Sequence, residues 1–460
     1  MASLLLSLSS IVFIIFSLQF MFIPPTFSTS RRLINNHVIN DHETGFRVSL
    51  KHVDSGKNLT KFERLQRGVM RGNLRLQRLI NNMMMTTTST DHSSSQVISP
   101  VHAGNGEFLM NLAIGTPPST YSAIMDTGSD LIWTQCKPCT KCFDAPTPIF
   151  DPKKSSTFTK ALCTDNLCLE LPNSDCGTDG CEYLYSYGDY SSTQGVLATE
   201  TFTFNNVSIK EVGFGCGEDN EGDGFNQGGG LVGLRRGPLS LVSQLKTSVF
   251  SYCLTSINDD TSENSESSLI LGSLLPQLSN KTKVFTTPLI KNPSNPSFYY
   301  ISLVGITVGN VDLPIKNSTF AIGLDGSGGM IIDSGTTITI LEESAFRMVK
   351  KEFVAQTKLN VDNSGSTGLD LCFELPADDG SGQISIEIPK LVFHFDGASL
   401  DLDGENYMIG DAKSGLVCLA MGGSNAGISI FGNVQQQNMM VVHDLEKETL
   451  SFIPTQCDKL

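Results

Sequence analysis

Histidine is scarce in this chain. Of seven in 460 residues, only His102, His394 and His443 lie beyond residue 98. No Gly-x-Ser-x-Gly turn is present either. A serine hydrolase needs that nucleophile turn with a histidine base, so the pattern argues against such chemistry. Cysteine is absent before residue 136, and tryptophan occurs once, at Trp133. After residue 28 no stretch is apolar enough to span a bilayer. Gly213-Phe-Gly-Cys-Gly217 lacks the dinucleotide-binding spacing and a following helix. Positive charge is also short, with 32 Lys and Arg against 47 Asp and Glu, a net of −15. That balance speaks against a nucleic-acid partner. A purely structural wall protein finds no support in tandem repeats or low-complexity blocks.

What is present begins with glycine, 42 residues of it, and many short Val, Ile, Phe and Thr runs. These favour a β-rich protein, and the length allows two domain-sized cores. Residues 1–28 are apolar and uncharged and end in Ile-Pro-Pro-Thr-Phe-Ser. They read as a secretory signal peptide, although the usual positive start is missing apart from the amino terminus. A membrane anchor is the competing reading, since Leu4–Ile23 is long enough to span. Twelve cysteines, an even number, point to an exported chain with six disulfides and no free thiol. Sequons at Asn58, Asn206, Asn280 and Asn317 fit glycosylation on that route. The tail Cys457-Asp-Lys-Leu is no prenylation box, because its middle residues are charged.

Residues 29–98 differ from the rest. They hold eleven of the 32 basic residues and five of the 47 acids, a net of +6. The remainder therefore carries 21 basic and 42 acidic residues, a net of −21. Leu59–Ile80 is helix-like: Phe62, Leu65, Val69, Leu76 and Ile80 fall near one face, with Arg64, Arg67, Arg71, Arg75 and Arg78 between them. Met83–Gln96 has linker composition, open to cutting. This basic stretch reads as a pro-segment held on an acidic body. A disordered arm that binds a polyanion is the bland alternative.

Ala123-Ile-Met-Asp-Thr-Gly-Ser129 is an apolar β-type run that carries Asp126 and breaks into a polar turn. Met330-Ile-Ile-Asp-Ser-Gly-Thr336 repeats the pattern around Asp333. One such turn is weak evidence, because Asp-x-Gly turns are common. Two in matching settings, about half the mature chain apart, are much less expected by chance. The pairing resembles the pepsin-like aspartic proteases. Trp133, a Tyr187-Gly188-Asp189 turn inside the hairpin-like Tyr183–Thr203, and the steps Leu231-Val232-Gly233 and Ile430-Phe431-Gly432 stand where that family has them. Cys136 to Cys181 holds seven cysteines, an insert that resembles the plant nepenthesin-type branch.

The resemblance covers about 99–460 and implies a mainly β, bilobal acid-protease fold with the active site in the cleft. It sets an N-terminal lobe at 99–290, with the insert at 136–181 and the flap at 183–203, and a C-terminal lobe at 291–460. It implies Asp126 and Asp333 as the catalytic dyad, supported by Thr127, Gly128, Ser129, Ser334, Gly335 and Thr336. Tyr187 would close over substrate with its hydroxyl on the Trp133 indole. Tyr190 stands where the branch commonly has a small residue, which bears on subsite preference. The disulfides implied are Cys136–Cys139, Cys142–Cys216, Cys163–Cys181, Cys168–Cys176, Cys253–Cys457 and Cys372–Cys418. The spacing Cys136-x-x-Cys139-x-x-Cys142 would also suit zinc or redox work, but structural bridges are the better reading in an exported chain.

Two carboxylates sharing one proton hydrolyse a peptide without metal or cofactor. The charged one takes a proton from water, and the neutral one assists the substrate carbonyl oxygen. Titration in two separated steps is the established property of aspartic-protease dyads, since like charges so close cannot both ionise cheaply. The expected molecule is a monomeric zymogen, secreted to the apoplast, with the vacuole as second choice. Its partners are protein or peptide substrates and its own pro-segment as inhibitor, with no lasting membrane insertion. The rival class is a catalytically silent binding protein of glycoside hydrolases with the same fold. Intact Asp-hydroxyl-Gly loops and Tyr187 favour the enzyme.

Overall fold

Strands drawn from along the whole chain, some alternating and some buried on both faces, build one sheet that runs through both halves. In the order of pairing it contains Phe285–Ile290, Thr449–Pro454, Met439–Asp444, Val249–Cys253, Ser267–Leu271, Phe46–His52 and Phe108–Ile114, each antiparallel to the next. The structure is a computed structural model describing residues 45–87, 108–178, 180–187, 191–222, 225, 227–257, 266–272, 283–376 and 386–460. From the common sheet each half extends its own strands, so the architecture is mainly β and bilobal. Among the described residues no helix is long and apolar enough to cross a membrane.

The first half adds a long hairpin, Ser192–Phe204 with Val207–Glu221, and the shorter Gly180–Ser186 beside it. Ser186 faces Ser192 across the flap hairpin. The flap-tip residues Gly188, Asp189 and Tyr190 lie outside the described residues, as does Asn280. The second half adds two four-stranded sheets, one of them centred on Leu303–Val308 and Leu391–Phe395. The helix Glu343–Gln356 packs Ala345, Phe346, Val349 and Phe353 inward at helical spacing. Its first N–H groups are capped by the Glu342 carboxylate.

Two elements precede the body. Phe46–His52 alternates in period two, burying Val48 and Leu50, and inserts between Ser267–Leu271 and Phe108–Met110. The reading of the sequence missed this strand, although Phe46, Val48 and Leu50 carry its signal. The helix Lys61–Thr87 follows. Phe62, Leu65, Val69 and Leu76 are buried, as their spacing predicts. Leu65, Val69 and Leu76 pack in one cluster with Ile338, Ile340, Ile428, Ile430 and Val434. The side chains of Arg75, Arg78 and Ile80 lie outside the described set. Asn58, Asn206 and Asn317 are exposed.

All twelve cysteines are bridged, but four of the six expected pairs differ. Cys253–Cys457 and Cys372–Cys418 are present, the latter joining residues directly opposite in a ladder. Cys136 pairs with Cys216, not Cys139. The cause is register: Trp133–Gln135 runs parallel to Val207–Glu221 and sets Thr134 beside Cys216. Cys139 and Cys142 are left to close their own short loop. Cys163–Cys181 and Cys168–Cys176 are likewise replaced, by Cys163–Cys176 and Cys168–Cys181. Burial sorts these four, since Cys168 and Cys181 are inside while Cys176 is exposed.

Candidate active site

Each Asp-hydroxyl-Gly turn ends a buried strand. Ser119–Asp126 and Met330–Ile332 are each flanked by an apolar-apolar-Gly step running parallel, with Gly233 beside Asp126 and Phe431 beside Ile332. Only glycine fits at these steps. A Cβ on Gly233 would lie 2.2 Å from the Asp130 carbonyl oxygen, and one on Gly432 2.3 Å from the Ile338 carbonyl carbon.

The two turns are built alike. Gly128 N–H donates to Asp126 Oδ1 at 2.8 Å, and Gly335 N–H to Asp333 Oδ1 at 3.0 Å. The Ser129 hydroxyl donates to Asp126 Oδ2 at 2.6 Å, and the Thr336 hydroxyl to Asp333 Oδ2 at 2.6 Å. Between them, Ser334 N–H donates to Thr127 Oγ1 at 2.9 Å, and the Thr127 hydroxyl donates to Ser334 Oγ at 3.1 Å. The Thr127 N–H points to Ser334 Oγ at 3.5 Å. Both aspartates are buried, Asp126 2% and Asp333 0% exposed. The eight loop residues singled out in the sequence thus meet in one bonded pair of turns.

Trp133 and Tyr187 also meet. The indole N–H donates to the Tyr187 hydroxyl oxygen at 2.7 Å, and Phe225 packs edge-on to the indole at 4.8 Å. Burial holds the Tyr187 phenol well above its ordinary pKa, with nearby Tyr185 and Asp126 adding to it. The ring therefore stays neutral.

Two profiles cover this body. Residues 108–273 match a family described as xylanase inhibitor N-terminal, and residues 298–454 match xylanase inhibitor C-terminal. Along nearly the whole chain, aspartic proteinase nepenthesin-1 of Nepenthes gracilis is 50% identical over 445 residues, covering 96% of this chain and 97% of its own. This chain belongs to the nepenthesin-type plant aspartic proteases. Nepenthesin-2 of the same plant is 49% identical with 95% of each chain covered. Aspartyl protease 37 of Oryza sativa subsp. japonica is 35% identical, covering 90% of this chain and 95% of its own. Among solved structures, that of edgp matches with a TM-score of 0.60 at 21% identity, over 79% of this chain and 94% of its own. Basic 7S globulin from soybean matches at 0.57 and 19%, over 76% and 93%. At such identities the likeness is one of fold. This nepenthesin-type protease is an aspartic-type endopeptidase.

Several residues around the two aspartate turns gave no signal in the sequence. Gln436 is fully buried below Asp333, and its amide N–H donates to the carbonyls of Phe431 at 2.8 Å and Asp333 at 3.3 Å. Tyr252, also buried, donates its hydroxyl to Gln436 Oε1 at 2.5 Å. Asn433 donates to the Ser334 carbonyl at 3.0 Å. Beside Asp126, the Asp130 carboxylate accepts from Gly237 N–H at 2.7 Å. Burial pushes Asp130's pKa up, against Arg235 and the Gly237 bond, with Asp126 adding to the rise. Short local motifs carry no trace of contacts that, for the most part, span about a hundred residues or more.

Proposed function

We propose that this protease is made as a secreted zymogen and cleaves peptide bonds at acid pH through a water held between Asp126 and Asp333. The observation that carries the reading is the reciprocal bonding of Thr127 and Ser334, which ties the two aspartate turns into one unit. One carboxylate takes a proton from the water as it attacks the scissile carbonyl carbon. The other holds the shared proton and gives it toward the carbonyl oxygen. Bonds from Gly128 and Ser129 on one side, and Gly335 and Thr336 on the other, fix the carboxyl planes in advance. Tyr187, anchored on Trp133, covers the substrate from the flap.

The segment 29–98 is the pro-segment in this reading. Three contacts support it. Phe46–His52 is hydrogen-bonded into the common sheet. The helix Lys61–Thr87 buries its apolar face on the second half. It also runs against the Asp333 turn: a Cβ built on Gly72 would stand 3.6 Å from Thr336 Cγ2 and 3.5 Å from Thr337 N. A helix there occupies ground that an extended substrate needs. After cutting in the 83–96 stretch, the new N-terminus falls close to Val97–Gly104. Residues 1–28 act as the export signal, with the apoplast as destination.

The test is direct. Acid-treated protein is incubated with a denatured protein substrate, with and without a statine-type inhibitor. Wild type cleaves and is inhibited, while Asp126→Asn and Asp333→Asn each lose cleavage and keep the fold, because an amide can neither act as base nor share the proton. Near wild-type turnover in either variant refutes the dyad.

A further inference from the structure

The two aspartates carry the same side-chain bonds, yet what stands beneath them differs. Under Asp126 the support is main chain: Leu234 N–H donates to the Asp126 carbonyl at 2.8 Å, and Arg235 N–H to the Ser129 carbonyl at 3.1 Å. The second turn has a main-chain bond of this kind too, from Asn433 N–H to the Thr336 carbonyl at 2.7 Å. The Asp333 carbonyl itself, however, is met by the side chain of Gln436.

The orientation of that amide is settled by its partners. Two carbonyls, of Asp333 and Phe431, can only accept, so the NH₂ end faces them. The oxygen end then faces Tyr252, whose hydroxyl must donate. Tyr252 belongs to Val249–Cys253, paired on one side with Ser267–Leu271 and on the other with Met439–Asp444. Gln436 closes the short turn Asn433–Gln436 that leads into Met439–Asp444. The hydroxyl, the amide and the Asp333 carbonyl thus form a buried chain from the common sheet to the second turn. Burial raises the Tyr252 phenol well above its ordinary pKa, with Asp333 and Tyr299 adding to it. The hydroxyl keeps its proton wherever the enzyme works, so this link is a fixed strut with no titration of its own.

We infer that Gln436, locked by Tyr252, is a positioning residue that sets Asp333 against Asp126. The inference rests on the reading of those two aspartates as the catalytic pair. An aspartate side chain has two torsions, so its carboxyl follows the main chain closely. Sharing one proton requires the two carboxyls to stay in plane, and displacements of about an ångström cost up to ~10²-fold in rate. A buried amide with three bonds is rigid, whereas one that has lost its hydroxyl partner can turn and release both carbonyls.

The experiment compares Tyr252→Phe, Gln436→Leu and the double variant in the full chain, activated by acid, on a peptide substrate. kcat and KM are measured across pH, alongside thermal unfolding. Tyr252→Phe removes one oxygen from a packed ring, and it carries the test alone if Gln436→Leu does not fold. Expected are a fall in kcat of about tenfold for Tyr252→Phe, corresponding to one lost hydrogen bond, and a KM within about twofold of wild type. The bell of kcat against pH should also narrow, because a loosened pair shares its proton less well and its two steps approach each other. The double variant should be no worse than Gln436→Leu. A merely structural role would lower the unfolding temperature and leave the width of the bell alone. Wild-type kcat and width in Tyr252→Phe, with Asp333→Asn inactive, overturn this inference and leave the dyad standing. Activity in Asp333→Asn removes the dyad itself.

Discussion

Thr127 and Ser334 bond the two aspartate turns to each other. Replacing Ser334 by alanine removes the acceptor of the Thr127 hydroxyl in a buried place. A stranded buried hydroxyl costs about 1–3 kcal/mol, and here the cost falls on the relative placement of the turns. kcat/KM of Ser334→Ala is expected to fall tenfold or more. Ser334→Thr should recover most of it, since threonine already serves in this role at 127. Steady-state kinetics of the two variants checks this, and equal losses in both would show that the hydroxyl is not what matters. At this scale the aspartate turns were legible because all their chemistry lies within a few consecutive residues. Cysteine pairing was not, because Cys136 reaches Cys216 through a strand register that no local spacing encodes. Gln436 and Tyr252 were hidden for the same reason, being 184 residues apart.

The elements before the body are tied down by a strand in the common sheet and a helix on the second half. The amphipathic helix was legible from Phe62, Leu65, Val69 and Leu76, whereas the strand Phe46–His52 was overlooked beside it. Charge attraction between a basic segment and an acidic body was the expected clasp. Three of the segment's cations, Lys57, Arg67 and Arg71, also converge on its own Asp54, at 2.9, 3.3 and 3.0 Å. Asp54 is fully buried where the strand turns toward the helix. Burial pushes its carboxyl up. The Arg71 charge, the Lys57 bond, and the His52 and Lys57 charges more than offset that, so its pKa lies below the ordinary 3.8. A depressed carboxylate stabilises the fold above its unfolded pKa and loses that contribution as pH falls through the folded value. The strand–helix junction should therefore hold down to about pH 3.8 and give way below it. In Asp54→Asn the three cations lose the Asp54 charge at every pH. Conversion of the zymogen, followed by N-terminal sequencing across a pH series, is expected at higher pH and faster in this variant. An unchanged conversion profile would return the clasp to contacts with the body.

For the molecule as a whole, the common sheet is the part on which everything else hangs. Cys253–Cys457 ties it to the C-terminal turn over 204 residues of sequence. Arg236 joins the halves again, its guanidinium on Glu448 at 2.6 Å and its N–H on the Ser297 carbonyl at 3.1 Å. The bilobal plan and the repeat of the aspartate turns were readable from the sequence. The continuity of this sheet was not, because it is assembled from strands drawn from the segment, the middle and the C-terminus.

Inside that sheet lies a group ill suited to acid. His443 is fully buried, stacked on Phe250 at 4.3 Å and edge-on to Tyr299 at 4.7 Å. Neither ring nitrogen has a hydrogen-bond partner among the described residues. Burial, with Arg236 adding to it, lowers its pKa from 6.5 to about 3. The folded protein therefore keeps the ring neutral over a range in which the unfolded chain binds a proton. Where the unfolded state holds more protons, stability rises with pH, so here it drains away as pH falls from 6.5 toward 3. The slope from one such group is at most about 1.4 kcal/mol per pH unit. His443→Leu removes the titration and keeps an apolar side chain of similar size. In an Asp126→Asn background, chosen to avoid self-digestion on the proposed mechanism, urea unfolding at pH 7.5, 5 and 3.5 compares the two. Above pH 7 the difference between them is constant and set by packing alone. Below it the variant should gain on the parent by about 2 kcal/mol at pH 5 and by more at pH 3.5. A difference that stays flat with pH would mean that His443 takes up a proton in the folded state as readily as in the unfolded chain, and the unpartnered ring nitrogens would then need a buried anion or water to hold it.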